Sequence, residues 1–140
     1  MSDEDVAATQ RLEKLVTGLD DVDLRLDLGS GWSVTTALGH LAFWDREQRL
    51  NLAAWQRGTP PVGGDDSVNE TLTPILSALE PRAAVELALV AARELDQVSA
   101  AISDELRTEI LSSAHDYVLR RARHRDEHIE QIERALATQS

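Results

Sequence analysis

His124 and His128 stand four residues apart in His124-Arg125-Asp126-Glu127-His128-Ile129, and His40 lies far upstream in Leu38-Gly39-His40-Leu41-Ala42-Phe43-Trp44-Asp45. On a helix an i, i+4 pair sends two imidazoles in nearly the same direction, about 40° apart around the axis. Two such rings and a third from another helix make a facial set of neutral nitrogen donors, which leaves coordination positions open on a divalent ion. A water there can fall to a pKa of about 7, and a thiol can bind as thiolate. The 124/128 pair alone is weak, because i, i+4 histidines arise readily on a solvated face. His40, in a Trp-flanked motif on a different helix, is what turns the pair into a metal-site expectation.

His124-Arg125-Asp126-Glu127-His128 also matches the H-x-x-E-H pattern of some zinc peptidases. Too few residues follow His128 for a downstream acidic ligand, and Glu127 projects away from the apolar arc around Ile129, so that chemistry is not expected. With Ile129 as the centre of the buried arc, His128 lies about 100° to one side and His124 about 140°. His40 lies about 100° from Leu41 on its own helix. Both sets flank a core stripe, where a pocket between helices would form. Glu47, two turns after His40, is a candidate base or ligand-orienting group, set against an ordinary solvated glutamate. Arg121, one turn before His124, is a candidate for holding an anionic substrate or thiol carboxylate, set against a surface ion pair. Tyr117 shares that flank, with a packing role equally open. Trp44 is expected beneath the site and Trp32 in the loop before the second helix. The run Arg120, Arg121, Arg123, Arg125 reads as mostly a solvated face, and His115 as a surface residue without a partner.

These side chains must be held by helices. The 140-residue length fits one domain over 1–140. The aromatic fraction is only 4%, and the Ala, Leu and Val that fill the apolar set favour helix over strand. The expected helices are 3–19, with Ser2 as cap and a Leu12, Leu15, Val16, Leu19 stripe, and 34–57, capped by Ser33. A short helix follows at 68–79, with Pro74 as a kink or break. A long helix then opens at Pro81, with Ala84, Ala88, Ala91, Leu95, Val98 and Ile102 at four-three spacing. A short turn or helix around 104–111 and a long helix at 113–137 complete the chain. The runs 20–31 and 58–66 read as loops, the second placed where it could cover a pocket mouth, and no strand pattern is evident. The fold class is all-α, a four-helix bundle with a short extra helix between its second and third members.

Composition excludes several functions. There is no cysteine, so disulfides, thiolate ligands and a cysteine nucleophile are absent, and any thiol must arrive as a cosubstrate. The formal net charge of −11 opposes nucleic-acid binding. No segment approaches about 18 consecutive apolar residues, so no membrane span is expected. The acidic start, Met1-Ser2-Asp3-Glu4-Asp5, is unlike a signal peptide, and a cytoplasmic location is expected.

Gly31-Trp32-Ser33-Val34 followed by Leu38-Gly39-His40-Leu41-Ala42-Phe43-Trp44-Asp45 resembles the signature of the DinB/YfiT-like superfamily, which is related to the N-terminal domain of mycothiol-dependent maleylpyruvate isomerases. The closing segment from His124 to Ile132 resembles that family's last helix. Together, in order, the two motifs span nearly the whole chain. The resemblance implies a bundle with up-down-down-up connectivity and a metal site at His40, His124 and His128, with zinc or nickel as the ion. It further implies a small-molecule substrate, a transferase or isomerase using a low-molecular-weight thiol such as mycothiol, and homodimers as an option. A non-catalytic metal-binding or stress-response module, and a metal-free small-molecule-binding bundle, are the alternatives. Because ligating imidazoles must be neutral, metal release is expected as pH falls below about 6.

Overall fold

Ser33 accepts a hydrogen bond from the Thr36 backbone N–H, and the Ser33 N–H is bonded in return by the Thr36 hydroxyl. This reciprocal cap starts the longest helix where the sequence places it, and the helix carries His40. The computed structural model describes residues 3–29, 31–62 and 67–139. Among them are seven α-helices: α1 (Asp3–Thr17), α2 (Asp21–Leu24), α3 (Val34–Gln56), α4 (Ser67–Ser77), α5 (Pro81–Ala101), α6 (Asp104–Leu111) and α7 (Ala122–Ala137). The chain is mainly helical, as its composition favours. The expected cap at Ser2, the middle of the first glycine turn at Ser30 and the loop segment 63–66 lie outside the described residues.

Three local expectations are corrected. Residues 20–31 are not all loop: Asp20 caps the single turn of α2 in a capping box with Asp23. A two-stranded antiparallel hairpin, β1 (Asp27–Gly29) and β2 (Trp32–Ser33), follows, with Asp27 opposite Ser33 and Gly29 opposite Trp32. Gly29 and Gly31 reverse the chain at φ of 94° and 79°, values that suit residues without a Cβ. The hairpin is too short for a period-2 pattern to register. The long helix expected over 113–137 is broken into a 3-10 turn, Asp116–Val118, and α7, which begins only at Ala122. Pro74 lies inside α4 without ending it. The capping of α5 by Glu80, with Pro81 in its first turn, follows expectation.

α1, α3, α5 and α7 are the four long helices, and α3 packs against α5 and α7 while α1 packs against α5 and α7. Leu12, Val16, Val34, Leu38, Leu41, Ala88, Ile129 and Ile132 share one buried cluster, and Leu52, Trp55, Leu95, Ile102, Ile110 and Val118 share a second. Along α3 the first cluster ends at Leu41 and the second begins at Leu52. The buried Asp45 and Gln48 fall in that gap. Among the described residues no helix is long and apolar enough to cross a membrane.

Candidate metal centre

α3 and α7 are neighbours, and their rotation brings the three histidines together. Ring centroids are 5.6 Å apart for His40 and His124, 5.1 Å for His40 and His128, and 4.9 Å for His124 and His128. One ring nitrogen from each lies within 4.8 Å of the others, a set that could hold a metal ion. His40 is buried, 6% exposed, and His124 and His128 are partly covered.

The tautomers follow from neighbouring atoms that can only donate or only accept. The Trp44 indole N–H can only donate, and it points at Asn69 Oδ1 at 3.0 Å. The same oxygen lies 3.1 Å from His40 Nε2, so that nitrogen carries the ring proton and donates it. His40 Nδ1 is left bare and buried with no hydrogen-bond partner. An orphaned buried nitrogen is costly in a purely structural histidine and is what a ligand waiting for a cation would show. His128 Nδ1 donates to Gln131 Oε1 at 3.2 Å, leaving Nε2 bare. His124 Nδ1 instead accepts from Arg121 Nη2 at 2.9 Å.

All three rings are held neutral, the state metal ligation needs. Burial lowers His40 to about 4, with repulsion from His128 adding to it. His124 is pushed down to about 2 by burial first and then by the Arg121 charge and the other two histidines. Burial also lowers His128, against the opposing pull of its Gln131 hydrogen bond.

The other candidates fall around this centre. His40, Trp44, Glu47, Tyr117, Arg121 and His124 line an open cavity of about 420 Å³. Val62, from the loop expected to cover a pocket, also lines it. Glu47 is partly buried at this wall. Glu127 is exposed, pairs with Arg123 at 3.1 Å and also lines this cavity.

The arginine run is not a solvated face, and that expectation is corrected. Arg120 and Arg123 are exposed, but Arg121 is 6% and Arg125 0% exposed. Asp45 bridges the two buried arginines, accepting from Arg121 Nε at 2.9 Å and from Arg125 Nε at 3.1 Å. Arg125 also reaches Asp96 at 2.9 Å, the Thr9 hydroxyl and the Asp5 carbonyl. Burial works against the Arg125 charge, but Asp45 and Asp96 outweigh it and raise its pKa above the ordinary value. His115 is likewise partnered, with Nδ1 3.1 Å from the Tyr117 hydroxyl and its ring edge-on to Trp55.

Two site residues escape sequence reasoning. Asn69 fixes the His40 tautomer, and nothing in the composition of α4 marks it out. Trp32, expected only to secure a loop, stacks on His128 with centroids 5.8 Å apart and planes 5° from parallel, and meets His40 edge-on at 4.8 Å. The signal for Trp32 was its place in the same motif as His40. Comparison of the chain with family models, curated proteins and solved structures finds no match in any of the three.

Proposed function

We propose that this chain is a divalent-metal-dependent enzyme built on a DinB/YfiT-like four-helix bundle, acting as a transferase with a low-molecular-weight thiol such as mycothiol. The observation that carries the metal part is the bare, buried His40 Nδ1, on a ring that shares with His124 and His128 a set of nitrogens within 4.8 Å of one another. The four long helices, with α4 between α3 and α5, support the bundle. His40, His124 and His128 would hold the ion, zinc or nickel by donor type. When bound, such an ion supplies Lewis acidity that favours the ionised form of a thiol or water reaching the open side. Glu47, on the cavity wall, is the proton acceptor in this reading. The cavity of about 420 Å³ is of a size for a small-molecule substrate. The absence of cysteine makes any thiol an incoming one.

Elemental analysis of protein purified without a histidine tag, followed by zinc and nickel titration, tests the metal part. Near-stoichiometric metal is expected. His40→Ala should weaken binding by more than about a hundredfold, the upper range for losing even a supporting partner of a ligand. Metal that is substoichiometric and cannot be restored by either ion overturns it. The enzyme part requires thiol-dependent consumption of an electrophile that disappears in His40→Ala. Metal binding without any such consumption would favour a non-catalytic metal module.

A further inference from the structure

One of the three ligands is not free to ligate, and what holds it is a residue of this chain. The inference rests on the metal reading above and deepens it. His40 and His128 each present a bare nitrogen, because their other nitrogens donate to Asn69 and Gln131. His124 is different. Arg121 Nη2 donates to its Nδ1 at 2.9 Å, and a guanidinium has no acceptor to offer in return. The neutral His124 ring therefore carries its proton on Nε2. Its single lone pair, on Nδ1, is already engaged.

Both routes to a metal bond conflict with this arrangement. Ligation through Nδ1 replaces the Arg121 hydrogen bond directly. Ligation through Nε2 needs the ring proton on Nδ1, where it would face the Arg121 N–H, donor against donor. In either route the proton stays on the ring and none is lost. We propose that Arg121 competes with the metal for His124, so that the Arg121–His124 hydrogen bond and a loaded three-histidine site exclude one another.

The placement of Arg121 fits a competitor that can let go. Its Nε is anchored on Asp45 Oδ1 at 2.9 Å, and Asp45 is fixed in turn by Arg125 at 3.1 Å through its other oxygen. That anchor uses a different nitrogen from the one on His124; because the guanidinium is a rigid plane, release swings the whole group about the Asp45 contact and gives up the long 3.4 Å bond from Nη1 to the Tyr117 carbonyl. Arg121 already lines the cavity, where the swung guanidinium is available to an anionic group of a substrate or thiol.

The test is a zinc competition titration against a chromophoric chelator, with wild type and Arg121→Lys side by side. Lysine keeps a positive charge for Asp45 but has no second arm for His124. Loss of competition should tighten zinc binding about tenfold or more. Equal or weaker binding by Arg121→Lys, with wild type binding normally, overturns the competition and leaves the metal site standing. Absence of zinc binding in both proteins overturns the metal reading and this inference with it. Wild type alone supplies a second readout, independent of whether the variant folds. Long-range ¹H–¹⁵N NMR of the imidazoles should show His124 as the Nε2–H tautomer without zinc, and the Arg121 side-chain resonance should shift on loading. An Arg121 signal unmoved by saturating zinc overturns the proposal.

Discussion

Arg125 is fully buried and occupies a slot that helical periodicity reserves for an apolar side chain. Counting back from Ile132 and Ile129 by three and four reaches 125, so its place in the stripe was readable. Its partners were not, because Asp45 and Asp96 come from α3 and α5 and meet it only when those helices are packed. Arg125 donates to both carboxylates, at 3.1 and 2.9 Å. Removing one member of a buried ion network leaves the others uncompensated, which costs far more than the network contributes relative to apolar packing. Arg125→Met is therefore expected to lower stability by about 3–5 kcal/mol in urea denaturation. A loss below about 1 kcal/mol, the range of ordinary surface changes, would show that the network is not a structural element. The histidine triangle was more legible, because i, i+4 spacing and a flank position constrain direction before any packing is known. Asn69 was not, since an asparagine on a short amphipathic helix carries no signal until the helix is docked.

That docking depends on an element-level contact. A Cβ at Gly39 would stand 3.0 Å from Leu79 Cδ1 and 3.1 Å from Leu76 Cδ2, so glycine lets α4 lie close against α3, where Asn69 reaches His40. The start of α7 is governed in a similar way, across helices. Arg121, its N-cap residue, makes no side-chain capping bond. The cap is supplied by Asp5 of α1, whose carboxylate accepts from the Arg121 N–H at 2.9 Å and the Ala122 N–H at 2.6 Å. A carboxylate also complements the positive end of the helix. This is why the uniform pattern over 113–137 does not give one helix: a distant residue sets where α7 begins, and local sequence does not record it. Ser33, by contrast, caps its own helix and was visible. Asp5→Ala is expected to cost about 1–2 kcal/mol in thermal or chemical denaturation, as for loss of a strong cap. Faster amide exchange should appear at Arg121 and Ala122 in particular. Unchanged exchange at those two amides would assign the stabilising role of Asp5 elsewhere.

Across the whole molecule, three neutral imidazoles are enclosed in a chain of formal charge −11, and this sets its response to acid. In the unfolded chain each histidine takes up a proton near the ordinary 6.5, whereas in the folded protein His40 waits until about 4 and His124 until about 2. His128 is shifted in the same direction. Between the two values the unfolded state binds more protons, so metal-free stability is full above pH 6.5 and declines as pH falls, for His40 down to about 4. The limiting slope is about 1.4 kcal/mol per pH unit for each histidine protonated only in the unfolded chain. Partial exposure of His124 and His128 reduces their share. The same lowered values move acid release of a metal below the pH of about 6 that free imidazoles suggest, because protons reach the folded site late. Melting temperatures in excess chelator should therefore fall steadily from pH 6.5 to 4.5. A variant with His40, His124 and His128 all replaced by glutamine should lose most of that slope while keeping whatever part comes from the carboxylates. Parallel pH profiles for the two proteins would mean that the three rings titrate alike folded and unfolded, and the enclosed neutral cluster would have to be abandoned.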